Sequence, residues 1–555
     1  MATTYTPILK TQKVNNFPDT LSIIDEDMIL FVPMQSTTSY LIDKNGTVAH
    51  TWSSEYLPGE SVYLLEDGSI LYTIKLSVSG GGAGGGVQKI TWDNQLVWDY
   101  RYYDSNHLSH HDIEPLPNGN ILLIAWESKT RSEAIQSGRD PDKLHGNTLR
   151  PDHIVEVKPT GLTTGEIVWE WHVWDHLVQD YDPSKDNYGI IGQHSELIDI
   201  NFGTSNIDWL HTNSIDYNEE LDQILVSVRN FNEIWVIDHS TTTEEAAGHT
   251  GGNSGMGGDI LYRWGNPVAY QAGSSYDKIF FQQHDARWIE EGCPGEGNIL
   301  VFNNGGGRPG PDYTSVEEIV PPLNSNGTYN LEPGEAYGPE EQVWIYNSNF
   351  FSYYLGGAQR LENGNTMVCD GPAGKFFEVT PDKDIIWDYE NPYPNFFQNA
   401  VFKINYYTPP DEPPSEVPDL ESDGFLRWGG ISTNDTVHGS FEIQNIGGNS
   451  SSLKWRVVDY PDWGNWTIDP IFGEGLTPDQ GSIDVHVSIE VPDVSNRVFE
   501  GLIRIENEEN EEDFDTVPVY LKTSRNKFRA PYLYHLREHP FLNLIFNLLM
   551  KFVDN

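Results

Sequence analysis

Polar and apolar residues alternate over short stretches along much of the chain, and turn residues separate these stretches. The segment LSHHDIEPLPNGNILLIAWE, residues 108–127, has a polar head, a short strand, an Asn-Gly turn and an apolar strand. Segments with the same pattern begin at Glu60, His211, His284 and Gly356. Alternation with a period of two between Gly- and Asn-containing turns predicts antiparallel β-hairpins.

A second kind of hairpin accompanies these units, as in YLIDKNGTVAHTW and FFEVTPDKDIIWDY. The units recur every 50–100 residues, a spacing that suits blades of about four strands with loop insertions. Five inner units and six outer hairpins predict an all-β fold, a six-bladed β-propeller over residues 28–408. The ring is expected to close by pairing of VFKINYY (401–407) with MILFVPM (28–34), which leaves no long free edge.

The repeat predicts that polar residues from several blades meet. Alignment of the units on their turns gives one equivalent position in five of them: Glu60, His111, His211, His284 and Gly356. The innermost strands of a propeller begin at one mouth of its central channel, so equivalent positions converge there. This predicts a shared polar funnel; the alternative is that the histidines are satisfied turn residues. His110 is expected to point to the other side of its strand and to pack between blades.

The last third of the chain has a different organisation. A Pro-rich linker, PPDEPPSEVP (409–418), precedes residues 419–523, whose period-two alternation predicts a β-sandwich of immunoglobulin-like size. Residues 524–555 carry apolar side chains at helical spacing, which predicts a short amphipathic helix. Docking on the sandwich, binding of a partner, and contact with a cell or membrane surface all remain open for this tail. Residues 1–27 are interpreted as an N-terminal extension.

Composition narrows the possible partners and the compartment. With 33 basic and 83 acidic residues, the formal charge of −50 argues against nucleic-acid binding. No stretch reaches the ~20 apolar residues of a membrane span, and the N-terminus does not have the pattern of a signal peptide. Two cysteines permit one disulfide without demanding it. Five N-x-S/T sequons fit an exported glycoprotein: Asn45, Asn326, Asn434, Asn449 and Asn465.

Three stretches resemble the bacterial and archaeal arylsulfate sulfotransferases. They are HHDIEPLPNGNILLIAWE, DWLHTNSIDYNEELDQILVSVRN and QQHDARWIEEGCPGEGNILVFNNGGGRPG, and the likeness covers roughly residues 30–410. The resemblance implies a six-bladed propeller that transfers a sulfuryl group from a phenolic sulfate ester to another phenol. It also implies a transiently sulfated histidine and no nucleotide donor.

The resemblance carries over to particular residues. His211 and Asn213 match the family's W-L-H-x-N motif, and His284 matches the histidine of a later Q-H segment. Arg308, in NNGGGRPG, matches the family's sulfate-binding arginine. A guanidinium fork with imidazole and amide donors can stabilise the charge that develops on sulfuryl oxygens, and a neutral imidazole can act as the nucleophile.

The same segments contain other polar residues in positions to bind substrate: Asn303, Asp285 and Arg229. One departure from the family is that its sulfate-accepting histidine aligns with Gly356 and Gly357. The nucleophile would then be His111, His211 or His284. Otherwise the propeller is a non-catalytic ligand-binding or cell-surface scaffold, or an enzyme acting on a sulfated polysaccharide.

These interpretations fix the expected ligands and location. The partners are a small aryl sulfate and a phenol, and neither a cofactor nor metal-ligating site residues are expected. The Asp-rich segment DHLVQDYDPSKDN (175–187) could hold a structural Ca²⁺ or be a solvated insertion. The expected location is extracellular or at the cell surface, or periplasmic in a bacterium with two membranes.

Overall fold

A computed structural model describes residues 27–76, 81–324, 327–332, 334–348, 350–408, 418–448 and 451–524. Within this part, residues 27–408 and 418–524 form two compact units. Almost all of the predicted N-terminal extension, of the linker and of the amphipathic tail lies outside the described residues.

The larger unit closes on itself through one sheet, which we call blade 1. From its inner edge outward, its strands are Asn405–Tyr407, Met28–Phe31, Thr38–Asp43 and Val48–Ser53. Met28 lies opposite Tyr407 in the antiparallel pairing of the two innermost strands. The predicted closure of the ring by the two ends of the unit is therefore confirmed.

Five further four-stranded antiparallel sheets complete a six-bladed propeller, each following the chain from inner to outer edge. Blade 2 consists of Pro58–Leu64, Ile70–Lys75, Gly85–Ile90 and Leu96–Arg101. Blade 3 consists of His107–Pro115, Ile121–Glu127, Asp152–Gly161 and Thr164–His172. Blade 4 consists of Thr212–Asn218, Gln223–Val228, Glu233–Asp238 and Ile260–Trp264. Blade 5 consists of His284–Trp288, Ile299–Asn303, Ser315–Ile319 and Trp344–Tyr346. Blade 6 consists of Gly357–Arg360, Thr366–Asp370, Lys375–Val379 and Ile385–Glu390.

The core lies between the blades. The second strand of blade 3, ILLIAWE, is buried at every position because both of its faces pack against neighbouring sheets. The described insertions carry two short α-helices, Arg131–Gln136 and Thr243–Ala246, each opened by a threonine–glutamate capping box. Short elements also occur as two strand pairs, Lys129–Thr130 with Thr148–Leu149 and Leu177–Val178 with Ile198–Asp199, and as 3₁₀ turns, Pro141–Lys143, Val173–Asp175, Ile191–Gln193, Pro267–Tyr270 and Pro478–Gln480.

The smaller unit is a β-sandwich. One sheet has the order Leu420–Asp423, Thr436–Asn445, Ile483–Glu490, Asn465–Asp469; the other has the order Leu426–Ile431, Asn510–Thr523, Val498–Asn507, Leu453–Asp459, Phe472–Leu476. Phe441 and Val485 of the first sheet share a core with Trp455 and Ile503 of the second. The predicted sandwich is confirmed, and its immunoglobulin-like class stays a prediction.

Two further observations concern disulfides and membranes. Cys293 and Cys369 are separate buried thiols, and Sγ of Cys293 lies 3.6 Å from the Arg360 carbonyl oxygen. Within the described residues, no helix has the length and apolar character that a membrane crossing requires.

Candidate active site

Strand register identifies the equivalent positions of the blades. Four inner-strand residues occupy the same place opposite the apolar second strand: Ile113, Ile215, Ala286 and Ala358. Two residues before each lie His111, Asn213, His284 and Gly356, which are therefore equivalent. The alignment that put His211 at this position is wrong by two residues. The hairpins differ in length between blades, so counting residues back from the turns does not give equivalent positions.

His111 is presented by an irregular stretch of strand. Its φ of 54° lies in the left-handed region, and its amide donates to the Gly82 carbonyl at 2.8 Å. The irregularity breaks the alternation of the strand, so Nδ1 of His110 and Nδ1 of His111 lie 2.8 Å apart. The expectation that the two rings point to opposite sides is wrong. His110 does pack, because its ring stacks on Trp126 with centroids 4.2 Å apart.

His211 reaches the same place from blade 4. Its ring centroid lies 4.5 Å from that of His111, with the ring planes at 74°. Nδ1 of His211 donates to Oδ2 of Asp208, whose Oδ1 accepts from Nε1 of Trp126 at 3.0 Å. Burial favours the neutral form of Asp208, but the hydrogen bond from His211 lowers the pKa of this carboxyl below its usual value. His211 thus belongs to a histidine–carboxylate pair.

His284 is held through one ring nitrogen. Its Nδ1 lies 2.7 Å from Oδ1 of Asn304 and 3.2 Å from the carbonyl oxygen of Gln282. The Asn304 amide is oriented by its own bonds to the carbonyls of Ser352 and Leu355, both at 2.8 Å. Carbonyl oxygens only accept, so Nδ1 carries the proton and Nε2 holds a lone pair. Burial and then the charge of Arg229 lower the pKa of His284 to about 3.

Arg229 supplies the positive charge of this site. Its Nη2 donates to Oε1 of Gln282 at 2.8 Å, which connects it to the loop that precedes His284. Burial, then the neighbouring histidines and Arg229, hold the pKa of His111 well below its ordinary value. His111 and His284 are each 3% exposed and neutral near pH 7, whereas the His211 side chain is 18% exposed. We call His111, His211, His284 and Arg229 the histidine cluster.

The side-chain oxygen of Asn213 is a buried hydrogen-bond acceptor. Its Nδ2 donates to the Gln283 carbonyl at 2.8 Å, which fixes the amide orientation. Its Oδ1 is buried and has no hydrogen-bond partner among the described residues. An unpaired buried acceptor is costly, and a ligand hydroxyl would satisfy it.

Asp285 is engaged in a buried ion network. It accepts from Nε of Arg287 at 3.0 Å and from Nζ of Lys403 at 3.3 Å. Lys403, which precedes the inner strand of blade 1, also donates to Asp112 at 2.6 Å and so links the inner strands of blades 3 and 5. Burial opposes ionisation of Asp285, but Arg287 and Lys403 lower its pKa. These contacts give Asp285 a role in holding blades together, and its role in substrate binding stays a prediction.

Arg308 and Asn303 also have contacts of their own. The Arg308 guanidinium lies 3.7 Å from the centre of the Tyr313 ring, and its Nη2 donates to Ser315 Oγ at 3.3 Å. Asn303 donates to Glu317 at 2.9 Å and accepts from the Phe281 amide at 2.9 Å. The positive charge of Arg229 contributes to the lowered pKa of both His111 and His284. The role of Arg308 in binding sulfate stays a prediction.

The remaining equivalent positions differ in character. Glu60 is 5% exposed, with φ of 117°, and burial raises its pKa to about 8. A Cβ on Gly356 would approach Phe302 to 2.5 Å, and one on Gly357 would approach Asp285 to 2.1 Å. Neither glycine has room for a side chain in this packing.

The Asp-rich segment 175–187 is organised by one amide. Gln179 Nε2 donates to the carbonyls of Asp182 and Asp186, and its Oε1 accepts from the amides of Tyr181 and Asp182. Side-chain hydrogen bonds thus account for the fold of this loop, and a Ca²⁺ there remains a prediction.

Several residues of the site were not predicted. Asp208 lies three residues before His211 in DWLH, and Asn304 follows Asn303. Both therefore lie close in sequence to predicted site residues. Phe402, whose ring centroid lies 6.2 Å from that of His111 and 6.4 Å from that of His284, belongs to the closing segment. Gly82 packs over the His111 ring, and a Cβ there would lie 1.9 Å from it. Phe402 and Gly82 come close to the histidines only in the folded propeller, so the sequence alone does not identify them.

Comparison with known proteins identifies one curated relative and several solved structures. The chain is 25% identical over 304 residues to arylsulfate sulfotransferase AssT of Escherichia coli O6:H1, a match covering 49% of this chain and 46% of that protein. The chain thus spans less than half the length of this curated relative. Solved structures with a similar fold include a Bacteroides caccae protein of unknown function (14% identity, 69% of this chain and 99% of that chain, TM-score 0.38). Another is virginiamycin B lyase of Staphylococcus aureus, with 11% identity over 66% of this chain and 82% of that chain and a TM-score of 0.32.

The family comparison covers most of the propeller. The sequence model of the family described as arylsulfotransferase (ASST) matches residues 10–406, well over half of the chain. On this match, the chain belongs to the arylsulfotransferase family.

Proposed function

We propose that the protein is a nucleotide-independent arylsulfate sulfotransferase whose active site is the histidine cluster. The single observation that carries this proposal is the state of His284, a neutral imidazole with its Nδ1 proton tied to Asn304. Its Nε2 lone pair lies in the same cluster as a guanidinium and a histidine–carboxylate pair. A nucleophile, a cation and an acid–base group are what sulfuryl transfer needs.

In the first half-reaction, Nε2 of His284 attacks the sulfur of a phenolic sulfate ester. The N–S bond forms as the bond between sulfur and the phenolic oxygen breaks, and the electron pair leaves with that oxygen. His211, protonated and paired with Asp208, gives its proton to the departing phenolate. The Nδ1 proton of His284 remains hydrogen-bonded to carbonyl oxygens, which stabilises the positive charge that its ring acquires.

In the second half-reaction, an acceptor phenol replaces the released one. Its oxygen attacks sulfur while His211 takes the hydroxyl proton, and the S–N bond breaks to return neutral His284. The unpaired Oδ1 of Asn213 is a candidate acceptor for this hydroxyl. Arg229 is proposed to hold the sulfuryl oxygens through both steps.

The proposed substrates and location follow from the same reasoning. The donor is a small aryl sulfate and the acceptor a phenol, because His111 and His284 are deeply buried and His211 is the most exposed of the three rings. Export of the protein is proposed from the sequons and the strongly acidic composition.

The test is turnover of a chromogenic aryl sulfate, such as 4-nitrophenyl sulfate, with and without phenol. Release of 4-nitrophenol that depends on phenol, with formation of phenyl sulfate, is the expected result. Peptide mapping after donor-only incubation should locate the sulfuryl group on His284. Folded protein that releases no 4-nitrophenol between pH 6 and pH 9 would favour the non-catalytic scaffold. Release of sulfate from a sulfated polysaccharide but no transfer to phenol would favour the polysaccharide enzyme.

A further inference from the structure

Three side chains converge on the outer strands of blades 3 and 4, away from the inner strands that carry the histidine cluster. His176 follows the outermost strand of blade 3, whereas His249 and Asp259 belong to the insertion before Ile260–Trp264. One potential ligand atom from each residue lies within 4.8 Å of the others. Nδ1 of His176 and Nδ1 of His249 are both 2.8 Å from the same oxygen, Oδ1 of Asp259.

A neutral His176 ring has one N–H donor, which does not account for both of its contacts. Its Nε2 lies 2.8 Å from the Ala246 carbonyl oxygen, so Nε2 must carry the ring's proton. In a neutral ring, Nδ1 then has a lone pair, yet it faces a carboxylate oxygen that also only accepts. The His176 side chain is fully buried and that of Asp259 is 7% exposed. A cation between the two lone pairs would resolve this conflict.

The surroundings of His176 are those of an oriented ligand. The Ala246 carbonyl fixes which ring nitrogen is free, as outer-shell groups do for metal-bound histidines. Trp171 stacks on the ring, with centroids 5.6 Å apart, and donates to the Gly258 carbonyl at 2.6 Å. A Cβ on Gly258 would lie 2.7 Å from Nε2 of His176, so the insertion can approach only because glycine is present.

We propose that His176, His249 and Asp259 bind a divalent transition-metal ion, with Zn²⁺ the best fit. Two imidazoles and one carboxylate are a donor set that Zn²⁺ takes with a fourth, open position. The His249 side chain is 60% exposed, so solvent can fill that position. Ligand atoms of a tetrahedral zinc site lie about 3.3 Å apart. Metal entry therefore requires both histidine contacts with Oδ1 of Asp259, each 2.8 Å, to lengthen by about 0.5 Å, through a shift of the Asp259 carboxylate and of exposed His249.

The ion would fasten the glycine-rich insertion GHTGGNSGMGGD of blade 4 to the end of blade 3. This role is structural and independent of sulfuryl transfer. A metal that joins two segments far apart in sequence stabilises the folded state by its binding free energy.

Zinc binding to the whole protein tests the proposal. After dialysis against a chelator and then buffer, titration with ZnCl₂ should show about one ion per chain, and the melting temperature should rise on addition. Substitution with Co²⁺ should give the visible absorption of a low-coordinate site. His249→Ala should weaken Zn²⁺ affinity by at least about 100-fold, and because this side chain is exposed the variant is expected to fold.

His194→Ala is the matched control, since His194 is 42% exposed, bonds to Glu196 and lies outside the three. It should bind Zn²⁺ like the parent. The same stoichiometric uptake of another transition metal, lost in His249→Ala, would support the site and change only the identity of the ion. Absence of stoichiometric uptake by the folded parent protein, or equal uptake by His249→Ala and the parent, would overturn the proposal. In that case Asp259 simply pairs with protonated histidines.

Discussion

His211 and His111 come from different blades, and their ring centroids lie 4.5 Å apart. Two positive charges at this distance repel each other, so the two rings cannot both be protonated without a cost. Asp208 decides between them, because it hydrogen-bonds to His211, whereas burial and neighbouring positive groups hold the pKa of His111 well below its usual value. In the proposed mechanism, this asymmetry separates His211, the proton carrier, from His111, which stays neutral.

Replacement of Asp208 should expose this division of labour. Asp208→Asn keeps the shape but removes the charge that supports a protonated His211. We expect transfer to fall by about 100-fold or more, the scale of positioned acid–base groups. Steady-state transfer from 4-nitrophenyl sulfate to phenol measures the effect. A variant that transfers at the parental rate would contradict the assignment of His211 as the proton carrier.

The nucleophile can be tested by removing each ring in turn. His284→Ala should lower phenol-dependent turnover by at least about 10³-fold and abolish sulfation of the protein. His111→Ala should lower turnover by about 10²-fold but leave His284 open to sulfation, because it removes only a neighbouring group. Mass spectrometry after donor-only incubation distinguishes the two. A sulfated His111 or His211 in the parent protein would transfer the role to that residue.

The fold followed from the sequence because its signals are local and repeated. Hairpins are specified by the alternation of polar and apolar residues and by Asn-Gly turns. The segment VFKINYY pairs with the first strand, so six such units form a closed ring without free edges. The site was harder to predict because it depends on register. His111, Asn213 and His284 are equivalent through backbone pairing, and a two-residue error exchanged Asn213 for His211. Even so, His211 joins the cluster, because its ring reaches back to His111.

Arginines illustrate what a sequence likeness cannot decide. Both Arg229 and Arg308 stand near strand ends in polar segments, and the resemblance favoured Arg308. The direction of each guanidinium depends on its packing partners, Tyr313 for Arg308 and Gln282 for Arg229. The contact between Arg229 and Gln282 joins residues 53 positions apart in the sequence, so no local pattern encodes it.

Paired substitutions should separate the two arginines. Arg229→Gln removes the cation beside His284, so we expect turnover to fall by about 10²–10³-fold, as for loss of one transition-state donor. Arg308→Gln should retain activity within about threefold and lower stability by ~1 kcal/mol through loss of stacking on Tyr313. Steady-state rates and melting temperatures of both variants provide the measurement. The opposite ranking of the two rates would restore Arg308 as the sulfate-binding residue.

Glu60 makes a prediction about stability and pH. Burial raises its pKa to about 8 from an ordinary value of 4.5, although Lys75 and the Gly82 amide favour the ionised form. Since the folded state holds this proton more tightly than the unfolded chain, the stabilising contribution is complete below pH 4.5. It is lost as the pH rises through 8, because the carboxyl must then ionise in a buried place. Alkaline conditions should therefore weaken the inner strand of blade 2.

Glu60→Gln keeps the shape of the side chain and removes the ionisation. The free energy of unfolding of this variant, relative to the parent, should grow by more than ~2 kcal/mol between pH 5 and pH 9, since each pKa unit is worth ~1.4 kcal/mol. Chemical denaturation at several pH values measures the difference. Glu55→Gln is the control, because Glu55 is exposed in the preceding turn and its substitution should give a flat difference. A flat difference for Glu60→Gln as well would mean that Glu60 ionises in the folded protein without a penalty.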